Sequence, residues 1–133
     1  MTRRDLISTA VAASLLSARA IYAQTGSSIR GKLETGEQPA ITMGGRRVAL
    51  TGDEDTMKIL ADDRLKGVDF EAQGRYDSPG HFVTSLASLA VYENGRRLHV
   101  TYWCSNCSVR YLVPGPCVCC GGPTGLQLRE NAA

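Results

Sequence analysis

The chain has 133 residues, a net charge of +2 and an aromatic content of 6%. This length fits one domain, and the near-neutral charge excludes the extended basic face that a nucleic-acid partner would require. Fourteen glycines and short apolar runs indicate small strands joined by turns.

The N-terminus has the three parts of an export signal. Arg3 and Arg4 form its basic part, a weakly apolar stretch follows, and small residues lead up to Ala23. We predict a signal peptide over residues 1–23, with cleavage after Ala23 or, alternatively, after Ala20. The apolar stretch is too short and too rich in Ser and Ala to span a bilayer, so any membrane contact is transient.

The paired arginines resemble the bacterial twin-arginine (Tat) translocation signal. The apolar pair Leu6-Ile7 carries the resemblance, although Leu6 stands where Phe is commoner and Ser8 stands where Lys is common. The resemblance implies a periplasmic or secreted protein. It also implies export in the folded state, often with a cofactor loaded beforehand.

The body of the chain alternates apolar and polar residues in short segments. Residues 24–30 are polar and rich in Ser and Gly, which predicts a flexible leader. A helix is predicted over residues 54–62, with Asp53 or Asp55 as its N-cap. Gly44-Gly45 and Asn94-Gly95 are typical of tight hairpin turns. Strands are predicted near residues 39–43, 47–50, 68–73, 81–92, 97–103 and 124–130.

Residues 31–103 are therefore predicted to be mainly β-structure and to form a small β-barrel with one short helix. Gly31-Lys-Leu33, the strand at residues 47–50 that precedes the helix, and residues 65–74 resemble the OB-fold of small exported bacterial domains. Such folds often bind oligonucleotides or sugars. Because the near-neutral net charge argues against a nucleic-acid partner, the expected partner is an unidentified protein or small ligand.

All five cysteines lie in a short C-terminal stretch, which we predict to be a metal-binding knuckle packed on the barrel over residues 104–128. Two Cys-x-x-Cys pairs, Cys104/Cys107 and Cys117/Cys120, have nine residues between them. Four thiolates at such spacing can surround zinc or iron tetrahedrally. Cys119 is then a spare thiol or an alternative ligand to its neighbour.

The segment resembles a compact zinc ribbon or the two knuckles of a rubredoxin. Gly121 follows the second pair as in the usual knuckle, whereas Ser108 follows the first pair and departs from it. The spacing between the pairs is shorter than in rubredoxin, so zinc is the predicted metal and iron is the alternative.

Other interpretations of these residues stay open. Disulfides would suit an exported protein, but five cysteines leave one unpaired. A thioredoxin-like redox role needs a βαβ pattern that is absent from the sequence pattern here. His99 is a possible ligand, but its place within a predicted strand favours a strand-face residue, and His81 is predicted to be a loop residue.

The predicted function is an exported, non-enzymatic accessory or binding module with a structural zinc. The alternatives are an electron carrier with iron at the same cysteines, or a periplasmic metal carrier. The whole chain resembles uncharacterised twin-arginine-exported, cysteine-rich bacterial proteins, and this resemblance implies no activity.

Overall fold

The computed structural model describes residues 26–131, which fold mainly as β-structure with one short α-helix. The predicted signal peptide, with Arg3, Arg4 and the cleavage site at Ala23, lies outside the described residues. No helix within residues 26–131 is long and apolar enough to cross a membrane. The elements are β1 (Ser27–Glu34), β2 (Ala40–Met43), β3 (Arg46–Thr51), α1 (Glu54–Leu60), a 3-10 helix (Asp63–Leu65), β4 (Asp69–Ser78), β5 (His81–Glu93), β6 (Arg96–Cys104), β7 (Val109–Tyr111) and β8 (Gly125–Arg129).

The first five strands form a closed ring. β1 pairs antiparallel with both β2 and β4, β2 pairs with β3, and β4 pairs with β5. The ring closes through a parallel pairing of Ala49–Thr51 with His81–Val83. The prediction of a mainly β fold with one helix and a C-terminal cysteine segment is confirmed.

Local turn chemistry explains the two predicted hairpins. Gly44 and Gly45 have φ angles of +54° and +83°, and Asn94 and Gly95 have φ angles of +53° and +78°. Positive φ at both central positions matches the right-handed twist of the flanking strands, so each pair reverses the chain in two residues. Both hairpin predictions are confirmed.

The core fills the inside of the ring. Helix α1 lies on it through Ile59 and Leu60, and Asp53 caps the helix by accepting from the Thr56 amide at 2.9 Å. The helix ends two residues earlier than predicted. The largest fully buried apolar side chains of the ring and its helices are Leu33, Ile41, Leu50, Ile59, Leu60, Leu65, Phe70, Phe82 and Val91.

The predicted flexible leader is wrong over residues 27–30, because β1 begins at Ser27. Residues 27–32 pair with β4, and the Ile29 side chain is only 5% exposed. Ile29 and Leu33 point into the ring because strand side chains alternate between faces. The polar residues around Ile29 occupy the outer face, which made the segment resemble a leader.

Strand β6 belongs to two sheets. Its first residues, Arg96–Leu98, pair with β5, and its later residues pair with β8 on one edge and β7 on the other. Tyr102 is fully buried between them, and its hydroxyl donates to Asp62 at 2.9 Å. Arg64 of the 3-10 helix donates to the Thr124 carbonyl at 3.2 Å. These two hydrogen bonds hold the C-terminal sheet (β6, β7 and β8) against the helical side of the ring.

Candidate metal centre

The first cysteine pair lies in a tight turn at the end of β6. Cys104 is the last residue of that strand and is 1% exposed. The Ser108 amide donates to the Cys104 carbonyl at 2.8 Å, and Ser108 has a φ angle of +55°. The turn therefore returns Cys107 to the side of Cys104.

The second pair lies in an equivalent turn. The Gly121 amide donates to the Cys117 carbonyl at 2.8 Å, and Gly121 has a φ angle of +73°. Ser108 thus takes the left-handed conformation that glycine takes in the second turn. Because Ser108 stands where the second turn has glycine, its left-handed backbone conformation is less favourable by about 1–2 kcal/mol. The conformation of the turn is nevertheless the same.

These two turns bring four sulfur atoms together. The Sγ atoms of Cys104, Cys107, Cys117 and Cys120 all lie within 4.8 Å of one another, and those of Cys104 and Cys120 are 3.6 Å apart. A tetrahedral ion with metal–sulfur bonds of 2.3 Å would separate its sulfur ligands by ~3.8 Å. The four thiols therefore fit one tetrahedral ion. Their assignment as its ligands remains a prediction.

At these distances the sulfur atoms are separate thiols and are not joined by disulfide bonds. A disulfide bond joins sulfur atoms at about 2.05 Å, and all five cysteines of the described chain are free. Cys104 and Cys117 are buried, Cys107 is half-buried, and Cys120 is exposed. One edge of the cluster therefore faces solvent while the other is enclosed by the C-terminal sheet.

Backbone amides surround the sulfur atoms. The Cys107 amide lies 3.4 Å from the Cys104 sulfur, and the Gly122 amide lies 3.4 Å from the Cys120 sulfur. Such donors stabilise the thiolate form, which is the form that binds a metal.

Tyr111 on β7 is a contact that the sequence pattern did not indicate. Its hydroxyl lies 3.3 Å from the Cys117 sulfur and accepts from the Val118 amide at 3.0 Å. Donation by this hydroxyl, followed by the amide of Cys120, lowers the pKa of the Cys117 thiol to about 6. The sequence feature that could have suggested this contact is the presence of an aromatic residue in the short segment between the two cysteine pairs.

Cys119 and Asn106 occupy the same place in the two turns, each directly before the second cysteine of its pair. The Asn106 side-chain amide is the largest cause that lowers the pKa of the Cys120 thiol. The nearby Cys119 thiol is the largest cause that raises the pKa of Cys107. This position in each turn therefore influences the second cysteine of the other turn, with opposite effects on its pKa.

The histidines lie apart from the cluster. His99 is a half-buried residue within β6, and His81 is exposed as the first residue of β5, not in a loop as predicted. Within residues 26–131, no other group of three or more His, Cys, Asp or Glu side chains converges as these cysteines do.

Searches against models of protein families, curated proteins and solved structures find no match to this chain.

Proposed function

We propose that this chain is an exported accessory or binding protein in which Cys104, Cys107, Cys117 and Cys120 hold a structural zinc ion. The observation that carries the proposal is the convergence of these four sulfur atoms within 4.8 Å of one another. Sites with four thiolate ligands leave no coordination position for a substrate and are usually structural. That chemistry supports the proposal of a non-enzymatic role for the metal site.

The position of the cluster supports a structural role. Cys104 ends β6, and the Cys117 amide donates to the Gly122 carbonyl at 2.8 Å just before the chain enters β8. An ion held by both turns would cross-link two ends of the C-terminal sheet. Such a link adds to the stability of a small domain, because the free energy of metal binding is then folding energy.

We infer that the ring is an OB-like barrel. Support comes from its strand order, β1-β2-β3-β5-β4, the parallel pairing of β3 with β5, and the helix between β3 and β4. The OB-fold is a five-stranded Greek-key barrel that commonly carries a ligand-binding surface. A small ligand or a protein partner is therefore the proposed occupant of this module.

Export by the twin-arginine route is proposed from the sequence at Arg3 and Arg4. Cleavage after Ala23 would leave three residues before β1, which begins at Ser27. Every strand pairing of the ring would then survive removal of the signal peptide. A route that carries folded proteins also suits a metal site that is loaded before export.

Iron is the second candidate, with electron transfer as its function. The amide donors to the sulfurs of Cys104 and Cys120, and the exposure of Cys120, favour it. Hydrogen bonds to sulfur and solvent exposure are among the properties that set the reduction potential of iron–thiolate centres. Exposure of Cys120 also suits the periplasmic metal carrier considered above.

Metal analysis of the purified protein distinguishes these candidates. We expect one zinc ion per chain, a colourless protein, and thiolate-to-metal absorption bands after replacement by cobalt. A red protein with one iron per chain that is reversibly reduced would establish the electron carrier instead. Rapid loss of zinc to a weak chelator would favour the carrier. A protein without metal under all loading conditions would contradict the proposal.

Cys119 is expected to be a spare thiol and not a ligand of the metal. Cys119→Asn places there the residue found at position 106, so zinc affinity should stay within about threefold of the wild-type value. Cys119→Ala removes the thiol without a polar replacement, and zinc affinity should likewise stay within about threefold of the wild-type value. Competition with a chromophoric chelator measures both, and loss of zinc from Cys119→Asn would identify Cys119 as a ligand.

A further inference from the structure

The near-neutral chain separates its charges between its two parts. Residues 26–93, which form the ring, carry eight basic and eleven acidic side chains. Residues 94–131, which form the C-terminal sheet, carry four arginines and a single glutamate. The positive charge is therefore concentrated on the smaller sheet.

The strand register places part of this charge on one face. His99 pairs with Arg129 and Thr101 pairs with Gln127 across β6 and β8, while Trp103 pairs with Arg110 across β6 and β7. The intervening residues Leu126 and Leu128 pack against the core. Because side chains alternate along a strand, the first set lies on the opposite, outer face.

The Arg110 side chain is held in place on this outer face. Its guanidinium lies 4.7 Å from the centre of the Trp103 ring, and its Nε donates to the Thr101 hydroxyl at 3.4 Å. It also donates to the side-chain carbonyl of Gln127 on β8. The guanidinium therefore extends across β6 towards the strand that carries Arg129.

Two of the four arginines of the C-terminal sheet have acidic partners and two have none among the described residues. Arg96 pairs with Glu130, and Arg97 pairs with Glu71 at 2.9 Å. Within residues 26–131, no carboxylate oxygen lies within 4.0 Å of a nitrogen of Arg110 or Arg129. Burial, and then the charge of Arg129, lower the pKa of Arg110, so the two cations are close enough to repel.

We propose that Arg110 and Arg129, with Gln127 between them, bind a phosphate group on the outer face of the C-terminal sheet. Two guanidinium groups bind oxyanions through paired N–H donors. Their combined charge of +2 matches the charge of about −1.5 to −2 on a phosphate monoester near neutral pH, whereas a monocarboxylate would leave one charge unmatched. The phosphate comes either from a free ion or from a lipid headgroup at a membrane surface.

The chain has one tryptophan, so fluorescence of Trp103 reports on this face directly. The metal-loaded protein is titrated with inorganic phosphate, with sodium chloride of equal ionic strength as the reference. We expect a saturable change in fluorescence with half-saturation at ~1 mM phosphate. The protein is also titrated with vesicles of phosphatidylcholine that contain phosphatidic acid, with vesicles of phosphatidylcholine alone as the reference. The proposal would be overturned if phosphate gave the same response as chloride and the two kinds of vesicle also gave equal responses. A saturable response only to the vesicles with phosphatidic acid is the remaining outcome. That last result would assign the site to a lipid phosphate.

Variants identify the arginines that bind. Arg129→Gln leaves the Trp103 contact with Arg110 in place and should weaken phosphate binding about tenfold. Arg75→Gln removes an exposed arginine of β4 and should leave binding unchanged. Equal binding by Arg129→Gln and the wild-type protein would overturn the proposal. Metal content is measured on the same samples, so an absence of phosphate binding can be distinguished from an absence of zinc.

Discussion

Cys104→Ser is expected to abolish zinc binding and to lower the free energy of unfolding by at least ~3 kcal/mol. Cys104 is buried at the end of β6, where its sulfur lies 3.6 Å from that of Cys120. Without this ligand the three remaining cysteines could not close the site. The stability that metal binding contributes to the C-terminal sheet would then be lost.

Thermal unfolding followed by circular dichroism, with zinc measured on the same samples, tests this expectation. The wild-type protein treated with a strong chelator should melt at the temperature of Cys104→Ser, because both lack the same ion. Cys119→Asn is the matched control, since it alters a neighbouring cysteine that we assign no metal bond. A Cys104→Ser protein that retains one zinc and the wild-type melting temperature would contradict the ligand assignment.

Gly31→Ala is expected to destabilise the ring by about 3 kcal/mol. Gly31 lies in the middle of β1, where that strand passes from its pairing with β4 to its pairing with β2. A β-carbon at this position would lie 2.1 Å from the Thr42 carbonyl oxygen and 2.9 Å from a methyl group of Ile41. The strand pair would have to separate to make room.

Gly125→Ala on β8 is the control for that substitution. A β-carbon there would have its nearest neighbour at 4.0 Å, so the unfolding free energy should change by less than about 1 kcal/mol. For Gly31→Ala we expect the melting temperature to fall by ~15 °C. Equal melting temperatures for the two variants would show that β1 and β2 can separate at little cost, against the close approach seen in the structure.

The features predicted from sequence are those that depend on neighbouring residues. Gly44-Gly45 and Asn94-Gly95 specify their turns by backbone conformation alone, and the Cys-x-x-Cys spacing specifies two turns that present sulfur. The length of each segment and its alternation then indicate strands. These local signals were sufficient to predict a mainly β chain with one helix and a cluster of four cysteines.

The features that were missed depend on pairing between distant residues. The polar residues around Ile29 form a strand only because β4, some forty residues later, supplies the partner. Tyr111 reaches Cys117 only after the second turn returns to β7. The proximity of Arg110 and Arg129 follows from the register of β8 on β6, which no local pattern specifies. The total charge also concealed its uneven distribution between the two sheets.

The sharing of β6 has a consequence for how the protein matures. Val100 and Tyr102 belong to the same buried cluster as the ring's side chains, yet they lie on the strand that ends at Cys104. Synthesis proceeds from the N-terminus, so these side chains are made after those of β1–β5, and the cysteine turns follow them immediately. The interior stays open to water until β6 has been made, and metal capture would then coincide with its closure. A truncated product would expose apolar surface, the condition that quality-control proteases recognise.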